Sequence, residues 1–210
     1  MLSQQRRTVG LCQLLLLLWD AQGAVAGDGL VALQTADPSC PDGSGNIYVD
    51  CGNGTVTDSR TGLIWLQDAN CLNGTVSWFT AMEFAAGLSD KPALGLPVAA
   101  HDCGLTDGSS PGEWRLPSVA EWDAMIADAL GQGGDPDCRA SPPTITDDSG
   151  SGCWVNGTSG FSGVQSSGYW SSTTNVTTPA NAWGVSLLSG GVGSAFKGLP
   201  FYVWPVRGGQ

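Results

Sequence analysis

The sequence predicts an α+β domain held by disulfides, and three observations carry that expectation. Residues 77–88 and 118–130 place apolar side chains at helical spacing behind a serine suited to capping. From Tyr169 onward the chain reads as short strands separated by Gly- and Ser-containing turns. Seven cysteines are present; Cys12 falls in a leader-like segment, so an even number is left for pairing.

Taken in order, residues 1–26 read as a signal peptide. Arg6 and Arg7 precede the apolar run 11–19, and Ala24-Val25-Ala26 supplies a small-x-small cleavage site. That run is too short to span a bilayer, and no later stretch is long and apolar enough. The mature protein is therefore expected to be exported, to the periplasm, the cell surface or the medium. Residues 27–52 are expected to form an N-terminal arm ahead of a domain over 53–210. Within the arm, Asp42, Ser44, Asn46 and Asp50 alternate oxygen ligands faintly as a calcium loop does. The bidentate Glu and correctly placed Gly are missing, so a Gly/Asn turn is the better reading.

Thr55-Val56-Thr57 and Leu63-Ile64-Trp65-Leu66 read as two strands joined by the turn chemistry of Asp58-Ser59-Arg60-Thr61-Gly62. Ser77 then caps a helix through Leu88, with Trp78, Ala81, Met82, Ala85 and Leu88 on one face. A Pro/Gly/Asp loop over 91–111 leads to Trp114-Arg115-Leu116-Pro117-Ser118-Val119-Ala120-Glu121-Trp122. Ser118 and Glu121 make the S-x-x-E pattern of a capping box, in which each side chain satisfies a backbone N–H of the other. Behind it Trp122, Met125, Ile126, Ala129 and Leu130 form an apolar helical face. Arg115 is expected to pair with an acidic group or with loop carbonyls.

Residues 131–168 form a long irregular stretch rich in Gly, Ser, Pro and Asp. Strands are expected at 169–174, 182–188 and 192–196. A last one at 201–206 alternates Tyr202, Trp204 and Val206 with Phe201, Val203 and Pro205, which suggests one face in the core. The six cysteines left after the leader could pair in many ways, and spacing does not choose among them. The expectation taken forward is the local set Cys40–Cys51, Cys71–Cys103 and Cys138–Cys153. No two lie at C-x₂₋₄-C spacing, against structural zinc.

The net charge is −11, and loss of a leader containing Arg6, Arg7 and Asp20 would leave the chain more acidic. Such a chain lacks the basic footprint of a nucleic-acid binder and is repelled by anionic membranes. Oligomeric state is not legible.

Several stretches together resemble one bacterial family. They are Asn53-Gly54-Thr55-Val56-Thr57-Asp58, Thr61-Gly62-Leu63-Ile64-Trp65-Leu66 and Asp68-Ala69-Asn70-Cys71. Further along come Cys103-Gly104-Leu105-Thr106-Asp107-Gly108-Ser109, the Trp114–Trp122 segment, Tyr169-Trp170-Ser171-Ser172-Thr173-Thr174 and Val203-Trp204-Pro205-Val206-Arg207. The whole is similar to the Lcl C-terminal domain family, named after a bacterial collagen-like adhesin. The resemblance implies a C-type-lectin-like fold with two helices, a long loop and a looped antiparallel sheet. Arg115-Leu116-Pro117 with Ala120-Glu121-Trp122 also resembles the formylglycine-generating enzymes, which share that broad fold. Their late cysteine pair has no counterpart after Cys153, and the Glu-Pro-Asn and Trp-Asn-Asp signatures of calcium-binding lectins are absent.

Chemical motifs are sparse. Gly108-Ser109-Ser110-Pro111-Gly112 fits G-x-S-x-G, but no strand precedes it and the single histidine, His101, lies upstream, so chance is the better account. A loop histidine beside Asp102 is ordinarily just solvated. Asp135 with Asp137, and Asp147 with Asp148, are candidate calcium ligands; otherwise no cofactor is expected. The N-x-T sequons at Asn53, Asn73, Asn156 and Asn175 are read as turns, and most tryptophans as core. Tyr169, Trp170 and Trp183 are the candidate aromatic platform for a ligand, with core packing the safer reading of all three. The expected function is an exported, non-enzymatic binding or adhesion module that recognises a glycan or a cell-surface protein through its long loop. The alternative is an enzyme of the formylglycine-generating-like fold with an unidentified site.

Overall fold

The computed structural model describes residues 40, 44–90, 103–157 and 159–208. The leader at 1–26, much of the arm, Asp42, His101 and Asp102 lie outside the described residues. Two antiparallel sheets and two helices are built around a shared aromatic core, so the fold is α+β. The first sheet has the order β1 (Tyr48–Asp50), β2 (Thr55–Asp58), β3 (Ile64–Leu66) and β7 (Val206–Arg207). The second has the order β4 (Gly168–Thr174), β5 (Asn181–Ser186) and β6 (Gly191–Phe196). Disulfides join Cys40–Cys51, Cys71–Cys103 and Cys138–Cys153, the local set.

Helix α1 (Trp78–Gly87) starts where Ser77 accepts from the Thr80 N–H, and buries Ala81, Phe84 and Ala85. Helix α2 (Val119–Ala127) has both halves of the capping box. The Ser118 hydroxyl accepts from the Glu121 N–H at 3.2 Å, and the Glu121 carboxylate accepts from the Ser118 N–H at 2.7 Å. It stops at Ala127 rather than at Leu130, because Ala129 and Leu130 leave the helix for a turn and Leu130 pairs with Asp137 in a single bridge.

The helices flank the second sheet, because successive side chains of a strand point to opposite faces. Trp170 and Ala182 on one face pack with Ala81, Phe84 and Ala85 of α1. Tyr169 and Val185 on the other pack with Trp122, Met125 and Ile126 of α2. Trp204 is the hub between the sheets. Its ring lies 4.9–5.9 Å, centroid to centroid, from Phe161, Trp65, Tyr169 and Trp122. Its indole N–H donates to the Leu66 carbonyl at 2.7 Å. The Trp122 indole N–H donates to the Trp170 carbonyl at 3.2 Å, so Trp204 and Trp122 enter the core without stranding a donor, whereas the buried indole N–H of Trp65 has no hydrogen-bond partner among the described residues.

Two readings of the sequence need correction. The end of the expected arm is a strand: Tyr48 is fully buried, its ring 4.9 Å from Phe161 and its hydroxyl accepting from Arg60. With one inward aromatic in three residues, β1 has too short a pattern to announce itself. The expected strand at 201–206 is also mostly not a strand. Pro200 and Pro205 offer no N–H, so Phe201 and Tyr202 make isolated bridges and regular pairing is confined to Val206–Arg207. Its alternation is real but both faces are buried. Trp204 and Val206 enter one cluster, Phe201 and Val203 the other. The expected order of hairpin, two helices, long loop and antiparallel sheet holds, with the hairpin belonging to the first sheet and β4–β6 forming the second.

Candidate functional site

The chemistry of a site has to be sought among side chains that reach solvent, and the second sheet decides which do. Tyr169 and Trp170 do not: both are fully buried. The Trp170 indole donates to the Val76 carbonyl at 3.0 Å and its ring stacks on Phe201 at 4.4 Å. The Tyr169 hydroxyl accepts from the Gln165 N–H at 2.8 Å, and burial pushes its ionisation well above the ordinary range of a phenol. These two are core residues, the safer of the two readings of them, and not a ligand platform. Trp183 is half-buried on the α2 side of β5 and pairs across the ladder with Ser194. The three expected platform rings do not form one surface.

The long loop is also more core than arm. Ile145, Trp154, Phe161 and Val164 are buried from it, and the Thr144 N–H donates to the Leu187 carbonyl at 2.6 Å. Exposed stretches remain at 131–135, 139–142 and 155–157. The acidic candidates on this loop have separate local partners. Asp137 receives Arg139 at 2.6 and 2.8 Å, and those hydrogen bonds hold its carboxyl down at about 2. Asp147 accepts from Ser149, and Asp148 from Ser159 at 2.6 Å and the Gly160 N–H at 2.8 Å. Asp135 is exposed near the end of α2. Among the described residues, no three His, Cys, Asp or Glu side chains gather as a metal ion would require.

The G-x-S-x-G stretch is a turn rather than a nucleophile elbow: Ser110 is exposed and is followed directly by turn residues. Its neighbour Ser109 is buried, donating to Asp107 at 2.7 Å and accepting from the Trp114 indole at 3.1 Å. Asn53 is buried, with its side-chain oxygen accepting from the Thr55 N–H and hydroxyl. Arg115 makes both kinds of contact expected of it. Its guanidinium grips Glu121 at 2.7 and 2.8 Å and donates to the carbonyls of Leu116 and Gly208.

What the sequence did not signal is a surface on the second sheet. A shallow groove of about 420 Å³ runs over Gly168, Gly184, Ser186, Gly191, Gly193 and Ala195. Its floor is backbone along Gly168, Gly184, Gly191 and Gly193, with only the small side chains of Ser186 and Ala195 on that face; Trp170, the large residue of the same face, is stacked against Phe201, which forms the wall. A Cβ on Gly168 would lie 3.3 Å from the Phe201 ring, whereas one on Gly193 would meet nothing within 4 Å. The groove is therefore filled by Phe201 at one end and open over β6. The stretch 192–196 reads as a strand, but the bare face follows only from the pairing of β5 with β6, which sets Gly193 opposite Gly184.

Beyond β6, Phe196 is more than half exposed, as is Phe79 at the start of α1. Lys197 is buried, its ammonium donating to Thr174 at 2.9 Å and lying 4.0 Å from the Trp78 ring centroid. A second groove, of about 410 Å³, shares Val192 with the first and is bordered by Asp123, Asp128, Gln132 and Asp135. Asp128 is paired with Arg60.

A family model described as the Lcl C-terminal domain matches residues 54–207, and these span both grooves and both helices. No curated protein matches the chain.

Proposed function

The chain belongs to the Lcl C-terminal domain family, and from that premise we propose that it is an exported, non-enzymatic binding module that recognises a glycan or a cell-surface protein. The observation that carries this reading is the open groove over β4–β6. It has a backbone floor, an aromatic wall and an exposed strand at its rim, on a frame closed by three disulfides. A floor without side chains lets a ligand approach the main chain closely, and a rigid frame loses little entropy when a ligand docks. The exposed segments of the long loop, 131–135 foremost, lie beside the second groove and extend the contact surface. Three disulfides suit an oxidising compartment, and among the described residues no helix is long and apolar enough to cross a membrane. Both fit a periplasmic, cell-surface or extracellular location.

Affinity at one such shallow groove should be modest, so useful adhesion would come from several copies on one surface. The test is a glycan array and a panel of bacterial and host surface proteins, probed with the oxidised protein. Saturable binding that is lost on reduction of the disulfides is the expected result. Binding to none of these surfaces, or turnover of a bound compound, would overturn the reading.

A further inference from the structure

Resting on the binding-module reading, we infer that the free edge of β6 takes an extended polypeptide segment of a partner protein by strand addition. The segment carries a basic residue at one end and an apolar side chain for the glycine groove. Strand addition needs unpaired backbone groups in register, and β6 is an edge strand. The Lys197 N–H donates to the Ala180 carbonyl, which sets the phase of the β5–β6 ladder. Gly191, Gly193 and Ala195 therefore turn their backbone groups toward β5, and Val192 and Ser194 turn theirs outward. Among the described residues nothing pairs with those outward groups. Natural edges are ordinarily guarded by charge, proline or a bulge. Gly191-Val192-Gly193-Ser194-Ala195-Phe196 has no charge and no proline, and its pairing with β5 runs without a break.

The groove supplies selectivity. Alternate side chains of an added strand would point to the face of Gly191, Gly193 and Ala195, where the groove lies open up to Phe201. One large apolar side chain fits there. Charge supplies orientation. At the Val192 end stand Asp123 and Asp135, both exposed and neither in an ion pair among the described residues. At the far end the chain continues into Lys197. A segment with Lys or Arg beside Val192 is matched by this arrangement, and an acidic one is repelled. The acetamido groups of an amino-sugar glycan hang off the rings and are not main-chain N–H and C=O groups at strand spacing, so they form no ladder with Val192 and Ser194. A second copy paired about a two-fold axis would continue the same face with Gly, Gly and Ala, leaving the groove unfilled, and each copy carries a charge of −11.

The probe is a set of fluorescein-labelled seven-residue peptides alternating Thr with apolar residues, with Phe or Ala at the centre and Lys or Glu at one end. Binding is read by anisotropy, and amide hydrogen exchange reports protection at Val192 and Ser194. The Phe/Lys peptide should bind, protect both amides, and exceed the Ala and Glu versions by about tenfold and about threefold. Ser194→Pro removes one outward N–H and should weaken binding about tenfold, whereas Ser194→Ala keeps it and should match the parent. Gly193→Val fills open space and should lower affinity for the Phe peptide about tenfold. Circular dichroism and Tm establish that each variant is folded. Peptide binding unchanged in folded Ser194→Pro and Gly193→Val would overturn strand addition. A glycan or surface protein that binds parent and variants equally would overturn it too, while leaving the binding-module reading intact. A dimer dissolved by Ser194→Pro would assign the edge to a second copy and overturn the proposal. Absence of all binding would overturn both readings.

Discussion

At the scale of single residues, the best-supported polar device is the Arg115–Glu121 pair. Burial disfavours the charged carboxyl of Glu121, but hydrogen bonds from Arg115 and from the Ser118 N–H outweigh it and hold the pKa below its usual 4.5. A carboxyl depressed in the folded state stabilises fully above its unfolded value and loses that contribution as pH falls through the folded one. Tm of the parent should therefore drop below about pH 4.5. Glu121→Gln should have a lower Tm at pH 7 and a flatter acid limb; parallel limbs would refute the assignment. Gly54 is a second such point. Its φ is +84°, and a Cβ there would lie 2.6 Å from the Gly104 carbonyl oxygen. Gly54→Ala should cost more than 1 kcal/mol by the strain of that conformation alone, measured by urea unfolding. The capping box was legible because it is a contact between residues three apart. The Gly208 carbonyl that completes the Arg115 grip was not, because nothing local in the sequence ties position 115 to position 208.

At the scale of elements, legibility followed periodicity and local chemistry. Both helices, the β2–β3 hairpin and β4–β6 were readable because each holds one pattern for several residues. The strands β1 and β7 were not, being too short or too interrupted by proline to show a period. The groove was hidden for another reason. Strands were expected over 182–188 and 192–196, but nothing local in the sequence shows that pairing sets Gly184 opposite Gly193 and Ser186 opposite Gly191, which leaves one face bare. Core packing was the safer reading of Tyr169 and Trp170 over a ligand platform, and one helix on each face buries them. The elements also make two predictions. Trp122 is fully buried at the face of α2, so Trp122→Ala should lose about 3–5 kcal/mol in chemical unfolding. The loop carboxylates Asp137, Asp147 and Asp148 are committed to neighbours within the loop. Hence EDTA should leave Tm unchanged, and a calcium-dependent rise would point to a site formed by other residues.

At the scale of the whole molecule, three cross-links tie segments that are near in sequence, with separations of 11, 32 and 15 residues. Mass analysis before and after reduction should therefore show no free thiol at Cys40, Cys51, Cys71, Cys103, Cys138 or Cys153 in native material. None of these cross-links reaches the last strand. Trp204 and β7 are joined to β3 by packing and hydrogen bonds alone, and the Trp204–Leu66 bond spans 138 residues. A ribosome releases residue 204 long after β3, so the first sheet must wait, with an unpaired edge and a hole where its central ring belongs. Contacts so distant along the chain make for slow closure. A premature stop at codon 201 would leave every disulfide cysteine in place and still yield a chain without its keystone, prey to proteases.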